Sequence, residues 1–342
     1  MSFRLIISSL FLTLISFPAT FGQEKVPANA GILFYNVENL FNPDDNEGKD
    51  DEAFRPDGDR RWTHKRKEKK QSKIARVILH AGKWDPPALV GLCEVEDRQV
   101  LDGLIWNTGL DQLDYNVEHY ESPDERGIDV ALLYRKDRFV VLSSKPVKIT
   151  TGQDERPTRD ILYVKGILDH SDTLHVMVNH WPSRWGGEAA TQHKRIASAR
   201  VLSTLCDSVL DASAGAKLIA MGDFNDGPSD KSVQMVSGPS GSAATPLINL
   251  ASEPEGEVPG TIRFRHQWDI FDQIMVSENL LTGKEQKGYL LEDQVMEIIS
   301  PDFLLEKDPK YPGVRPDRTY VGFRYKGGYS DHLPVMIRLS RE

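Results

Sequence analysis

The stretch "LIAMGDFNDGPSD", residues 218–230, decides the predicted fold. An apolar run typical of a buried β-strand gives way abruptly to acidic, amide, glycine and proline residues. Asp223 and Asn225 are two positions apart, so in an extended chain their side chains point the same way, while Phe224 points back into the core. The pattern predicts a buried strand that delivers polar side chains to one edge of a sheet.

Strand-like runs of this kind recur along the chain, and several are apolar on both alternations, which indicates sheets covered on both faces. They are residues 31–36, 88–96, 129–135, 161–169, 173–181, 217–225, 271–277 and 332–339. Helical periodicity appears only at 63–81, 97–110 and 188–211. Neighbouring strands without an intervening helix predict mixed or antiparallel sheets in an α/β fold. Glycine, proline and charged residues predict surface loops at 236–246, 251–260 and 307–318.

The N-terminus has the layout of a cleavable secretory signal. Arg4 precedes an apolar stretch that ends in small residues, so we assign residues 1–22 to the signal and 23–342 to a single domain. The apolar run is too short for a stable membrane insertion, and we expect a secreted or periplasmic protein. Cys93 and Cys206 lie in apolar runs, which favours two buried thiols over a disulfide or a metal site.

Charge is distributed unevenly. The formal net charge of −9 argues against salt-driven coating of nucleic acid or an anionic membrane. Residues 60–82 are nevertheless strongly basic, with Ile74, Val77 and Ile78 at helical spacing, which predicts a helix with a cationic outer face. That face is either simply solvated or a contact for a polyanionic substrate. Charge reversal at Lys65, Arg66, Lys69 and Lys70 would distinguish these alternatives.

Polar residues suited to metal binding or proton transfer stand at successive strand ends. They are Asn36, Glu38, Glu94, Asn179, His180, Asp223, Asn225, Asp331 and His332. Strand ends at one edge of a sheet form a rigid rim on which a site can be built. Carboxylates and amides without nearby thiolates are hard oxygen ligands, which suit Mg²⁺ or Mn²⁺, with Ca²⁺ as a third candidate. The set fits metal-assisted hydrolysis.

Six segments resemble the endonuclease/exonuclease/phosphatase superfamily. They are NVENLF, GLCEVED, RGIDVALLY, NHWPSR, GDFND and YSDHLPV, and they occur in that order over nearly the whole chain after the signal. The resemblance implies a four-layer sandwich of two mixed β-sheets flanked by helices, with the active site at one edge. It also implies a hydrolase that acts on phosphate esters with the help of a divalent metal ion.

The resemblance also implies roles for individual residues. Glu94 is similar to the principal metal ligand, with Asn36, Glu38 and Asp331 as further ligands. Asp223 resembles the residue that orients or deprotonates the attacking water, and Asn225 resembles a phosphate ligand. His332 resembles the histidine that contacts the scissile phosphate, steadied by Asp272, and His180 resembles an acid or phosphate ligand. Arg126, Arg159 and Arg184 are candidates for substrate binding, the alternative being surface ion pairs.

The predicted function is therefore an exported phosphodiesterase or nuclease whose partner is a phosphate-ester substrate, with nucleic acid as a candidate, and the sequence implies no protein partner. A phosphomonoesterase or a sphingomyelinase-like enzyme is the alternative within the same chemistry, because substrate choice depends on loops around the site. A binding module that has lost turnover is a third hypothesis, but each acid–base and metal-binding group is present.

Overall fold

The computed structural model describes residues 29–44, 48–152, 155–238, 246–252, 256–281 and 288–341. The predicted signal at 1–22 and parts of the predicted loops at 236–246 and 251–260 lie outside these residues. Within the described part of the chain, no helix is both long enough and apolar enough to span a membrane.

Strands outnumber helices along the described chain. The strands are β1 (Asn29–Leu40), β2 (Leu89–Val95), β3 (Tyr115–His119), β4 (Asp129–Arg135), β5 (Phe139–Val147), β6 (Ile161–Leu168), β7 (Asp172–His180), β8 (Lys217–Asp223), β9 (Ile248–Asn249), β10 (Ile262–Phe264), β11 (Gln267–Asp269), β12 (Asp272–Val276), β13 (Leu290–Leu291), β14 (Glu297–Ile298), β15 (Leu305–Lys307), β16 (Val314–Pro316), β17 (Tyr320–Val321), β18 (Arg324–Tyr325) and β19 (Val335–Ser340). The helices are α1 (His64–Gly82), α2 (Arg98–Trp106), α3 (Glu188–Ala212) and α4 (Lys231–Ser237).

Two large mixed sheets form the centre of the fold. The first has the order β13–β19–β1–β2–β4–β3, with β14 also pairing with β19, and the second has the order β5–β6–β7–β8–β12–β9. Each sheet contains one parallel pair, β1 with β2 and β7 with β8, and the other neighbours are antiparallel. Short hairpins β10–β11, β15–β16 and β17–β18 extend from this framework.

Alternation of apolar side chains builds four layers. On β1, Ile32 and Phe34 face the core between the sheets, where they meet Val176 and Met221 of the second sheet. Leu33 on the opposite face of β1 packs under α1 and α2. The outer face of the second sheet packs in the same way against α3 and α4. Strands buried on both faces require apolar residues at consecutive positions, as the sequence pattern indicated. The predicted four-layer sandwich is confirmed.

The predicted strands and helices are all present, and their ends differ by a few residues. The sequence patterns did not predict α4, the strands β3 and β5, or the short strands β9 to β11 and β13 to β18. The β5 strand begins with an apolar run at 139–142, but it lies at the sheet edge, polar residues and Pro146 follow that run, and most of its side chains are at least partly exposed. The prediction that 307–318 is only a loop was wrong, because Lys307 ends β15, residues 314–316 form β16, and these two strands pair. Cys93 and Cys206 are both buried free thiols, as predicted.

Candidate active site

Five side chains form a continuous chain of contacts at one edge of the sandwich. His332 Nδ1 lies 2.7 Å from Asp272 Oδ2, and His332 Nε2 lies 3.8 Å from Asp223 Oδ2. The Asn36 amide nitrogen donates to Asp223 Oδ2 at 3.0 Å and approaches Glu94 Oε1 at 3.4 Å. The contacts join residues from both sheets, so this edge is a single site.

Strand direction explains why these residues meet. The parallel strands β7 and β8 end side by side at His180 and Asp223, which are paired in register. The antiparallel strand β12 begins beside them, with Asp272 paired with Asp223. In the other sheet, Asn36 lies on β1 opposite Cys93 of β2, next to Glu94. The ends of parallel strands and the starts of their antiparallel neighbours therefore share one edge.

The strand ends at this edge depart from regular β geometry. Glu38, Asn39, Glu94 and Asn225 have φ angles of 52°, 59°, 61° and 50°, in the left-handed region that non-glycine residues seldom adopt. Asn36 and Glu38 are two positions apart on β1, and the left-handed backbone at Glu38 breaks the alternation by which a regular strand would point both side chains the same way. Backbone in this region is retained where the surrounding structure fixes it, and such positions cluster at functional sites.

The histidine–carboxylate pair sets the charge of His332. Burial opposes the imidazolium, but the carboxylates of Asp272, Asp223 and Asp331 outweigh burial and raise the pKa of His332 well above its usual value. Burial raises the pKa of Asp223 to about 7, although the His332 charge opposes this shift. The site therefore holds a protonated imidazole beside a carboxylate that can exchange a proton near neutral pH.

His180 has the opposite character. Its Nε2 lies 3.8 Å from Asp223 Oδ2 and 4.0 Å from Glu94 Oε1, and its Nδ1 is buried without a hydrogen-bond partner among the described residues. Burial lowers the pKa of His180 well below its usual value, and the cations Arg159 and Arg126 lower it further. His180 is therefore a neutral imidazole in the protein alone, suited to accept a proton or bind a ligand.

A second carboxylate pair lies beneath the site. Both oxygens of Glu38 accept backbone N–H groups, from Thr319 at 2.6 Å and from Tyr320 at 3.3 Å. Burial and the Asp331 carboxylate raise the pKa of Glu38 to about 7, and Asp331 itself forms an ion pair with Arg318. Glu38 thus fixes the start of the β17–β18 hairpin. Its role as a metal ligand, and that of Asp331, remain predictions.

Sequence analysis placed Lys70 on the exposed face of α1, and this was wrong. Lys70 is 2% exposed and donates to Thr319 Oγ1 and to the Tyr329 carbonyl. Burial lowers its pKa to about 8, against the stabilising charge of Glu38. The burial of Lys70 could have been predicted from the sequence, because Lys70 precedes Ile74 by four residues and lies on the same buried face of α1.

Arg159 and Arg126 lie together beside His180. Arg159 is buried, donates to Asp124 Oδ2 at 3.1 Å and to the Trp181 carbonyl at 2.7 Å, and leaves its Nε without a partner among the described residues. Arg126 lies 3.6 Å from Asp124 Oδ1, and half of its side chain is exposed. The two arginines thus bring positive charge next to His180, and substrate binding by them stays a prediction.

Arg184 is hydrogen-bonded to the loop that follows β8. It donates to the Asn225 carbonyl at 2.9 Å, to Asp226 at 2.9 Å, to Asp230 at 2.6 Å and to Glu188 at 3.0 Å. These bonds favour an anchoring role over the predicted substrate contact. Asn225 is likewise held, because its amide donates to the Trp181 carbonyl at 3.0 Å, and its phosphate-binding role stays a prediction.

The donors at this edge fit a divalent cation. Glu94 Oε1 and Asp223 Oδ2 both face the Asn36 amide and His180, and carboxylate oxygens are the ligands that Mg²⁺ and Mn²⁺ prefer. Asn36 Oδ1, in contrast, accepts the Glu38 N–H at 3.0 Å. Asn36 therefore orients the two carboxylates through its NH₂ group, and its role as a metal ligand stays a prediction.

Comparison with known proteins agrees with this geometry. A model of the Endonuclease/Exonuclease/phosphatase family matches residues 31–341. The chain belongs to this family. Its members are hydrolases of phosphoester bonds and typically depend on divalent metal ions. No curated protein matches the sequence.

Solved structures with the same fold are distant in sequence. The catalytic domain of human Nocturnin with bound sulfate is 16% identical, with 92% of this chain and 95% of that chain covered and a TM-score of 0.54. A zebrafish (D. rerio) TDP2 with a single-strand DNA product is 17% identical, with 92% and 100% covered and a TM-score of 0.55. A Bacteroides thetaiotaomicron mannosyl-6-phosphatase is 13% identical, with 91% and 99% covered and a TM-score of 0.54. These likenesses establish the fold.

Proposed function

We propose that this family member is an exported phosphodiesterase, with a nucleic acid as the first candidate substrate, that requires Mg²⁺ or Mn²⁺. The observation that carries the proposal is the chain of contacts Asp272–His332–Asp223–Asn36–Glu94, which brings one imidazole, one amide and three carboxylates together at one edge.

In the proposed hydrolysis, each residue of the candidate active site has its own role. A bound divalent ion, held by Glu94 with Asp223 nearby, would neutralise charge on the phosphate oxygens. Asp223, with its pKa raised by burial to about 7, accepts the proton of the attacking water. The His332 imidazolium, held by Asp272 at Nδ1, stabilises the negative charge that develops on the phosphate and gives its Nε2 proton to the departing ester oxygen, which leaves as an alcohol. Arg126 and Arg159 bind a further phosphate oxygen beside His180.

The test is a panel of substrates and metals. The purified protein, first treated with a chelator, is assayed with Mg²⁺, Mn²⁺ or Ca²⁺ on plasmid DNA, RNA, bis-p-nitrophenyl phosphate and p-nitrophenyl phosphate. We expect activity only after metal is restored, and faster turnover of the diester than of the monoester. Lack of hydrolysis of every ester with every metal would overturn the proposal, as would full activity in the chelator.

A phosphomonoesterase is the second candidate, and the buried guanidinium of Arg159 favours it. A cation whose Nε has no partner among the described residues, next to a neutral His180, suits the dianionic end of a monoester. Faster hydrolysis of p-nitrophenyl phosphate than of the diester would decide for this candidate.

Salt dependence separates a nuclease from an enzyme acting on small esters. Lys65 and Lys69 are exposed on α1, whereas Lys70 is buried and unsuitable for charge reversal. For a nuclease, Lys65→Glu with Lys69→Glu should raise the KM for DNA and reduce its dependence on salt. Bis-p-nitrophenyl phosphate is the internal control, because its hydrolysis should be unchanged.

A further inference from the structure

A second group of metal-binding side chains lies at the base of the loop between β3 and β4. His119 is the last residue of β3, Asp129 is the first residue of β4, and Glu121 lies in the loop between them. One ligand atom from each of the three lies within 4.8 Å of the other two. The three residues therefore bracket both ends of one loop.

Two of these ligand atoms are buried without a hydrogen bond. The side chains of His119 and Asp129 are 3% and 1% exposed, and neither His119 Nε2 nor Asp129 Oδ2 has a hydrogen-bond partner in the described part of the chain. A buried polar atom without a partner costs free energy, so the arrangement calls for a ligand between the two atoms.

The distance between the two atoms suits a metal ion. His119 Nε2 and Asp129 Oδ2 are 3.4 Å apart, longer than an ordinary charge-assisted hydrogen bond. Zn²⁺ binds histidine nitrogen and carboxylate oxygen at about 2.0–2.2 Å, and two ligands at a tetrahedral angle are then about 3.4 Å apart. The observed spacing is therefore that of two neighbouring ligands of one tetrahedral ion.

The neighbouring groups favour this geometry on balance. Asp129 Oδ1 accepts the Ser122 N–H at 3.0 Å, which directs Oδ2 towards His119. Glu121 is about half exposed and can turn towards the ion, leaving room for a water as fourth ligand. The Lys49 ammonium lies 3.7 Å from Glu121 Oε2 and opposes a cation, but it offsets only one of the two carboxylate charges.

We propose that His119, Glu121 and Asp129 form a site for a divalent transition-metal ion, with Zn²⁺ as the best match. The imidazole ligand distinguishes this site from an all-oxygen magnesium site. A metal here would close the 120–128 loop, whose Asp124 holds both Arg126 and Arg159. The ion would thus position the arginines of the active site without contacting the substrate. The inference does not depend on which ester the enzyme hydrolyses.

Metal binding itself is the test. Because the active site also binds cations, the experiment uses the full protein with Glu94→Gln and Asp223→Asn, titrated with Zn²⁺ and followed by elemental analysis and calorimetry. We expect one equivalent of Zn²⁺ with a Kd below about 1 µM. Adding His119→Gln or Asp129→Asn should weaken binding at least about tenfold, and the rise in Tm caused by Zn²⁺ should disappear.

Two further variants keep the test decisive. His64→Gln is the matched control, because His64 Nε2 lies 3.3 Å from Asp44 at an exposed position, and Zn²⁺ binding should be unchanged. Glu121→Gln alters only an exposed ligand and should weaken binding without harming the fold. If the parent variant binds no Zn²⁺ in this range, or binds it equally well after His119→Gln, then His119 and Asp129 form an ordinary ion pair and the proposal fails.

Discussion

The imidazole of His332 and the carboxylate of Asp272 are joined at 2.7 Å across the two sheets of the sandwich. Asp272 is the first residue of β12 in one sheet, whereas His332 precedes β19 of the other. Neither residue contacts the other through its own strand pairing, so this bond exists only when the sheets are correctly docked. It fixes both the orientation and the charge of the imidazole.

Replacing Asp272 by asparagine should remove the charge and keep the shape. We expect kcat to fall by about 10²–10⁴-fold. Because Asp272 is a main cause of the raised pKa of His332, the variant should lose its imidazolium at a lower pH. The alkaline limb of the kcat profile should therefore move to lower pH. Asp211→Asn on the exposed face of α3 is the control, and an unmoved limb in Asp272→Asn would contradict the assignment.

Asp223 and Asp226 are close in sequence but should respond differently to the same change. Asp223→Asn should reduce kcat by more than about 10²-fold, while Tm stays the same or rises, since a buried carboxylate of raised pKa is removed. Asp226 is bound by Arg184, Arg195 and Ser232. Asp226→Asn should lower the free energy of unfolding by about 3–5 kcal/mol, measured by urea denaturation. If Asp226→Asn lowered kcat and Asp223→Asn lowered the free energy of unfolding, Asp226 would be the catalytic carboxylate and Asp223 the structural one.

Lys70→Met should destabilise the protein, because it leaves Glu38 buried without its cation. We expect a loss of about 3–5 kcal/mol in the free energy of unfolding, measured in urea. Lys69→Met, one residue earlier on the exposed face of α1, should change stability by less than about 0.5 kcal/mol. Equal effects of the two substitutions would show that burial of Lys70 is not maintained in solution.

Arg126→Ala should raise the KM about 10–100-fold with little change in kcat or Tm, because its half-exposed guanidinium has one carboxylate neighbour and can bind a phosphate. Arg184→Ala should instead lower Tm, because its bonds to Asp226, Asp230 and Glu188 hold the loop after β8. Steady-state kinetics and thermal melts on both variants distinguish the two. If Arg184→Ala raised the KM more than Arg126→Ala does, Arg184 would be a substrate contact, as the sequence predicted.

The two central sheets could be predicted from the sequence because strands that are buried on both faces have a distinctive apolar sequence. Apolar residues at consecutive positions of β1, β2, β7 and β8 identify strands that are covered on both sides. The edge strand β5 was not predicted because its apolar run covers only residues 139–142 and is followed by polar residues and Pro146. The polar strand ends indicated one site because Glu94, His180 and Asp223 all follow such buried runs.

Which hydrogen bonds each side chain makes could not be read from the sequence. The left-handed backbone at Glu38 breaks the alternation of β1, so Glu38 faces the hairpin at Thr319. The other differences between the predicted and the observed side-chain positions arise from partners that are distant in the sequence. Lys70 meets Thr319, 249 positions away, and Arg184 meets Asp226 and Asp230 beyond the end of α3. The local pattern of α1 can indicate that Lys70 is buried, but it contains no information on which distant residue Lys70 contacts.

The division of the active site between two sheets has a consequence for renaturation. Glu94 and Asn36 belong to one sheet, and Asp223 and His180 to the other. A chain that has regained its secondary structure but has not yet joined its two sheets would contain every candidate catalytic residue and still be inactive. Recovery of turnover after dilution from urea should therefore report the moment at which the sandwich closes, later than the return of the far-ultraviolet circular dichroism signal.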